Sequence, residues 1–131
     1  AADFTLKDVN NKEYKLSALK GKVVLLNFFA TWCPYCIEEI PDLIKLGDSL
    51  KNKNFVLLSV NIQESADKVR KFADAKGIKY TILLDGNGKV AGLYKVNGIP
   101  SNFLIDKKGN IRYGENAMPE SSLINSLLQE K

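Results

Sequence analysis

Cys33 and Cys36 are the only two cysteines in the chain, separated by Pro34 and Tyr35 at what reads as the start of a helix. Thiol–disulfide exchange needs a thiolate nucleophile and a second thiol close enough to resolve the mixed disulfide. C-x-x-C at a strand-to-helix junction supplies both. The first sulfur meets the unpaired N–H groups and macrodipole of the helix end, which favour a thiolate, while the second lies one turn inside and is shielded. A structural disulfide between residues so near in sequence would constrain almost no unfolded chain. Structural zinc wants four ligands, and the chain has no His and no further Cys. Only a half-site completed across a dimer would keep the zinc reading alive.

A carboxylate joins the pair by helical spacing. At about 100° per residue, Cys36, Glu39, Ile40 and Leu43 share one face, whereas Glu38 points away. Ile40, Leu43, Ile44 and Leu46 mark that face as core. Glu39 is therefore expected inside an apolar stripe near the second sulfur, where burial favours its protonated form. The competing reading is a Glu at the stripe edge that reaches water or a Lys.

These groups need a frame. Phe4 to Lys7 and Lys12 to Leu16 alternate around Asn10-Asn11 as a hairpin does. Ser17 to Gly21 reads as one helical turn with a Gly stop. Lys22 to Ala30 is almost wholly apolar, a strand buried on both faces. A helix should follow over about Pro34 to Lys51, with Pro34 in its first turn and a kink at Pro41. Asn54 to Ile62 reads as a second buried strand. Ser65 caps a helix with Val69, Phe72 and Ala73 on its core face and Gly77 at its stop. Tyr80 to Leu84 is a short strand, followed by a turn at Asp85-Gly86-Asn87-Gly88 and a brief segment through Tyr94. Asn102 to Asp106 and Asn110 to Tyr113 form a hairpin about Lys107-Lys108-Gly109, and Pro119 opens a last helix with Leu123, Ile124, Leu127 and Leu128 on one stripe. The order predicts an α/β domain: a mixed central β-sheet flanked by helices, with an N-terminal β-hairpin extension.

Composition sets outer bounds. The 131 residues suit a single domain, 1–131, with 45% hydrophobic and 26% charged residues. The net charge of +4 is carried mostly by scattered Lys, Arg70 and Arg112 being the only arginines, so no nucleic-acid surface is expected. No apolar run approaches the roughly 18 residues needed to span a bilayer. The chain opens Ala1-Ala2-Asp3 straight into a strand-like pattern, with no leader-like stretch, as a mature or trimmed domain would. Gly86-Asn87-Gly88-Lys89 lacks the spacing of a phosphate loop and reads as a turn.

Phe29-Ala30-Thr31-Trp32-Cys33-Pro34-Tyr35-Cys36, with Gly98-Ile99-Pro100-Ser101-Asn102-Phe103-Leu104-Ile105-Asp106 downstream, resembles the thioredoxin superfamily. More narrowly, the chain is similar to the extracytoplasmic TlpA/ResA/CcmG branch, and the resemblance covers essentially its whole length. It implies a thioredoxin-like fold and a bacterial thiol–disulfide oxidoreductase outside the cytoplasm, periplasmic or anchored facing out. Cys33 would be the exposed nucleophile, Cys36 the buried resolving thiol, and Cys33–Cys36 the redox disulfide. Pro100 would be the cis-proline facing the sulfurs, and Ile99 would offer backbone groups to an extended substrate. Trp32 would pack over the site, unless it is a plain core aromatic, and Pro34 and Tyr35 would meet substrate. Glu39 would serve as the acid–base group, as a Glu three residues past the second Cys does in this branch. The resemblance further implies protein disulfide or thiol substrates, a membrane redox protein as electron donor, a monomer, and no cofactor or metal.

Two positions depart from the superfamily pattern. Asn27 stands where thioredoxins proper carry a buried Asp and cannot take a proton from the buried thiol, a gap that Glu39 is expected to fill. Pro34-Tyr35 resembles a glutaredoxin dipeptide, although nothing else suggests a glutathione site. Reduction of extracytoplasmic disulfides, with cytochrome c maturation as its best-known setting in this branch, is thus the leading expectation. An oxidant or isomerase of secreted proteins is the alternative. A peroxiredoxin-type peroxidase or a metal-binding module of the same fold fits the motifs less well.

Overall fold

The apolar run after Gly21 becomes an interior strand, flanked on both sides. In a computed structural model describing residues 1–131, the order is β1 (Thr5–Asp8), β2 (Glu13–Lys15), β3 (Val23–Phe29), α1 (Pro34–Ser49), β4 (Phe55–Ile62), α2 (Ala66–Lys76), β5 (Thr81–Asp85), α3 (Lys89–Leu93), β6 (Ser101–Ile105), β7 (Ile111–Glu115) and α4 (Ser121–Gln129), with a 3-10 turn over Leu16–Leu19. All of β3 is buried. It pairs in parallel with β4 on one side and antiparallel with β6 on the other. The sheet runs β2-β1-β5-β4-β3-β6-β7, with the amino-terminal hairpin added antiparallel to the β5 edge.

Strands β3, β4 and β5 step in one direction, so right-handed crossovers lay α1 and α2 on the same face. On that face Val23 and Leu25 meet Leu43 of α1 and Ile124 and Leu127 of α4. Further along it, Phe29 and Ile82 meet Val69 and Ala73 of α2 together with both cysteines. Val24, Leu26 and Phe28 face the other way, against Val90, Ala91 and Tyr94, and against Phe4 and Leu16 from the amino-terminal segment.

The helix signals mostly act as expected. Ser65 Oγ accepts the Lys68 N–H at 3.2 Å, and Gly77 ends α2 in the left-handed region at φ 69°. Pro34 occupies the first turn of α1, and Pro41 lies within the helix, where its ring removes the bond to the Ile37 carbonyl. Two elements differ. Residues 89–93, read only as a brief segment, form a short helix. Glycines at both ends of it hide the pattern, but Asp85, four residues before it starts, supplies the cap: its carboxylate accepts the Val90 and Ala91 N–H groups at 3.2 and 2.9 Å. The last helix starts at Ser121 rather than at Pro119, because Glu120 is extended (φ −69°, ψ 148°) and Pro119 closes the preceding loop.

Leu43 is 1% exposed and joins α1 to the sheet. Leu43→Ala should lower unfolding free energy by about 2–5 kcal/mol, whereas Asp48→Ala on the exposed side of α1 should stay within about 0.5 kcal/mol. Urea unfolding of both variants checks this.

Candidate active site

β3 ends at Phe29, and a three-residue loop delivers Cys33 to the first position before α1. Cys33 is the helix N-cap: its Sγ accepts the Cys36 N–H at 3.2 Å, and its carbonyl accepts the Ile37 N–H at 3.1 Å. Across from it, the Ile99 carbonyl accepts the Cys33 thiol at 3.6 Å. The Ile99–Pro100 bond is cis. Both cysteines are free thiols.

The expectation of an exposed Cys33 is corrected: it is 3% exposed, the same as Cys36. Its sulfur is tucked under the Ile99 carbonyl and packs with Phe29, Val69, Ala73 and Ile82. Burial first and then the bond with the Cys33 sulfur push the Cys36 thiol far above the ordinary cysteine value; the Ala30 backbone lowers it in part, and the charges of Cys33 and Glu39 add smaller pushes upward. Trp32 is 68% exposed, so it is no core aromatic; it stands beside Cys33 as an apolar surface in solvent, as does Tyr35 at 70%. Pro34 is exposed, Ile99 is half-buried and Pro100 is buried.

Glu39 lies where helical spacing puts it, half-buried on the core side of α1. Its bonding partners are a finding, because no hydrogen bond joins it to Cys36. Its Oε1 accepts the Asn27 Nδ2 and its Oε2 accepts the Asn102 Nδ2, both at 3.1 Å. Asn27 also donates to Asn102 Oδ1 at 2.8 Å and accepts the Ser59 hydroxyl at 2.8 Å. The carboxylate missing from position 27 thus arrives beside it from the neighbouring helix. Burial raises the Glu39 carboxyl above its ordinary range, opposed by the two amide bonds and assisted by the charge of Asp42. Its other side borders an open groove between α1 and the Ile99–Pro100 segment, lined also by Tyr35, Asp42 and Asn116.

Glu64 gave no signal in the sequence, since it sits in a loop outside any periodic pattern. Its carboxylate accepts the Thr31 N–H at 2.8 Å, the Thr31 hydroxyl at 2.6 Å and the Asn61 Nδ2 at 2.8 Å, and Lys68 Nζ stands 3.1 Å away. This clamp fastens the loop in front of Cys33 to the start of α2. Asn102 and Ser59 were also missed, but they left a trace: each is a polar residue next to an apolar run within its strand, and a buried polar group must find a partner.

The AhpC/TSA family model matches residues 1–114. The chain belongs to the AhpC/TSA family. Within that family it is a thioredoxin-superfamily chain of the TlpA/ResA-like kind. It is 38% identical over 112 residues to a thiol-disulfide oxidoreductase ResA of Geobacillus kaustophilus, an alignment covering 86% of this chain and 64% of the relative. A solution structure of a putative protein disulfide isomerase from Bacteroides thetaiotaomicron superposes with a TM-score of 0.90 at 34% identity, covering 99% of this chain and 88% of that one. An exposed lipoprotein thioredoxin from Streptococcus pneumoniae superposes with a TM-score of 0.79 at 31% identity, covering 98% of each chain. No helix of this AhpC/TSA chain is long and apolar enough to cross a membrane.

The Glu64 clamp makes a pH-dependent contribution to stability. Burial alone would raise this carboxyl, but the Thr31 hydroxyl and N–H, the Asn61 amide and Lys68 hold it at about 2, below its ordinary 4.5. A depressed carboxyl stabilises the fold above its unfolded value and ceases to do so as pH falls through the folded one. Glu64→Gln should therefore be less stable than the parent at pH 7 by roughly 1–3 kcal/mol. The gap should close between about pH 4.5 and 2, as followed by urea unfolding at a series of pH values.

Proposed function

We propose that this chain is a thioredoxin-like thiol–disulfide oxidoreductase, working as a single domain, that reduces disulfides of proteins outside the cytoplasm through Cys33 and Cys36. The observation that carries the reading is the asymmetry of the pair. Cys33 Sγ caps the helix and receives the Cys36 N–H, while the Cys36 thiol is driven upward by burial. Cys33 is the attacking sulfur. Its thiolate displaces one substrate sulfur, forming a mixed disulfide and releasing the first substrate thiolate, which takes a proton. The Cys36 thiol then loses its proton and attacks Cys33 Sγ, forming the Cys33–Cys36 disulfide and releasing the second substrate thiol. Two electrons and two protons pass to the substrate.

Each neighbouring residue has a part in that sequence. Cys36 must give up a proton that its surroundings hold tightly, and Glu39 is the acid–base group nearby, acting through its field and across the groove. Ile99 and Pro100 offer backbone to an extended substrate strand, and Trp32, Pro34 and Tyr35 give it an exposed apolar edge. A dithiol protein at a membrane returns the two electrons, and the chain acts as a monomer without cofactor or metal. The name of the exposed pneumococcal lipoprotein supports a location outside the cytoplasm, periplasmic or anchored. Proteins of cytochrome c maturation are the substrates that the ResA-like kinship favours. The curated relatives extend beyond the matched region, as the chain covers 64% of the ResA relative. A second reading, an oxidant or isomerase of secreted proteins, takes its support from the printed name of the Bacteroides relative.

Cys36→Ser should accumulate mixed disulfides through Cys33 when offered a disulfide-bonded protein, and Cys33→Ser should trap none. Mass spectrometry of non-reduced adducts reads this out, and trapping through Cys36 would reverse the two roles. The reduction potential decides between the two readings, because direction follows potential relative to the compartment: about −280 to −200 mV is expected for the reductant, and a value near −120 mV would make the chain an oxidant.

A further inference from the structure

Asn102 occupies the second position of β6 and is 0% exposed, in a strand whose next three residues, Phe103, Leu104 and Ile105, are apolar. A buried amide there is unfavourable unless it is hydrogen-bonded, and an apolar residue would suit the strand better. All of its polar atoms are committed. Its Oδ1 accepts from Asn27 at 2.8 Å, and its Nδ2 donates to Glu39 Oε2 at 3.1 Å and to the Asn116 carbonyl at 3.0 Å. Asn116 in turn donates its Nδ2 to the Pro100 carbonyl at 2.8 Å. One amide therefore connects the carboxylate on α1 with the segment facing Cys33.

Building on the reading of Cys33 and Cys36 as an exchange couple served by Glu39, we propose that Asn102 is a positioning residue. It holds the Glu39 carboxylate against Asn27 and ties it, through Asn116, to the Ile99–Pro100 segment. Asn102 touches no reacting sulfur and works through Glu39. Hydrogen bonds donated to a carboxylate favour its charged form, so Asn102 and Asn27 hold Glu39 ready to lose its proton despite burial. The other titratable groups that feel this carboxylate offer it no cation: Asp42 and Cys36 lie on α1, Tyr80 precedes β5, and Tyr113 lies on β7. The amides are thus its main source of stabilisation as an anion. They set the pH at which it can accept a proton from the Cys36 thiol.

Asn102→Leu keeps the number and branching of side-chain heavy atoms, in a bulkier group, and has no donor. Carboxyl-carbon NMR titration of Glu39 in the reduced protein should show its midpoint moving upward by about one pH unit in this variant. The pH dependence of protein-disulfide reduction should carry the same shift in its Glu39-dependent limb, and in a Glu39→Gln background Asn102→Leu should leave that profile unmoved. A general loosening of the sheet would instead slow both backgrounds alike without shifting either. If the leucine disrupts folding, Asn102→Ala removes the same two donations with a smaller side chain that has no donor and is expected to give the same displacement. An unmoved Glu39 midpoint in a folded variant, or an equal profile shift in the Glu39→Gln background, overturns the assignment. The NMR titration does not depend on turnover, so a parent chain without exchange activity would refute the proposed function while still testing Asn102.

Discussion

A buried amide with no partner costs about 1–3 kcal/mol, and the centre of this sheet holds Asn27 and Asn102, partnered by each other, a hydroxyl and a carboxylate. Asn27, Ser59 and Asn102 stand at one height on neighbouring strands, each at most 2% exposed. They meet only because Asn27 is in register with Ser59 on β4 and with Asn102 on β6. A slip of one residue on any of the three strands would turn a polar side chain to the opposite face and leave the others unpaired. Glu39 completes the set from α1 one turn past Cys36, so the same requirement fixes the helix along the sheet. The separation between the cysteine pair and the Ile99–Pro100 segment follows from that registry.

The two carboxylates near the sulfurs show how environment alone divides chemically similar groups. Glu39 has amides for partners and another acid, Asp42, as a neighbour, and it is pushed toward its protonated form. Glu64 has a hydroxyl, a backbone N–H, an amide and an ammonium, and it stays ionised far into acid. One carboxyl leaning toward its protonated form and one held as an anion thus stand near the same cysteine pair, and a neutral group in place of Glu64 would leave the Thr31 loop untethered.

Much of this was legible in the residues. The apolar run of β3, the Ser65 cap with the Gly77 stop, and Pro34 behind Cys33 each follow from local physics, so their elements emerge within a residue or two. Helical spacing placed Glu39 on the core face, but spacing on one helix carries no information about the facing strands, and its amide partners stayed hidden. Glu64 was invisible for a related reason: its partners Thr31 and Asn61 lie on other segments, and a loop carboxylate has no periodicity to betray it. The burial of Cys33 escaped notice because it depends on the Ile99 carbonyl, 66 residues away in sequence. Helix α3 was hidden because its cap comes from Asp85, ahead of the glycine turn.

The turn between β6 and β7 gathers both ends of the chain. The Ala1 ammonium donates to the Gly109 carbonyl at 2.6 Å, and Lys107 Nζ donates to the Leu128 and Glu130 carbonyls at 2.7 and 2.9 Å. That turn lies beside the first residues of β3, whereas Cys33 follows its last, so the length of the strand, about 20 Å, separates termini from sulfurs. The sheet thus has two unlike poles: the turn about Gly109 ties residues 1, 128 and 130 together at one, and Trp32, Tyr35 and the cysteines stand at the other.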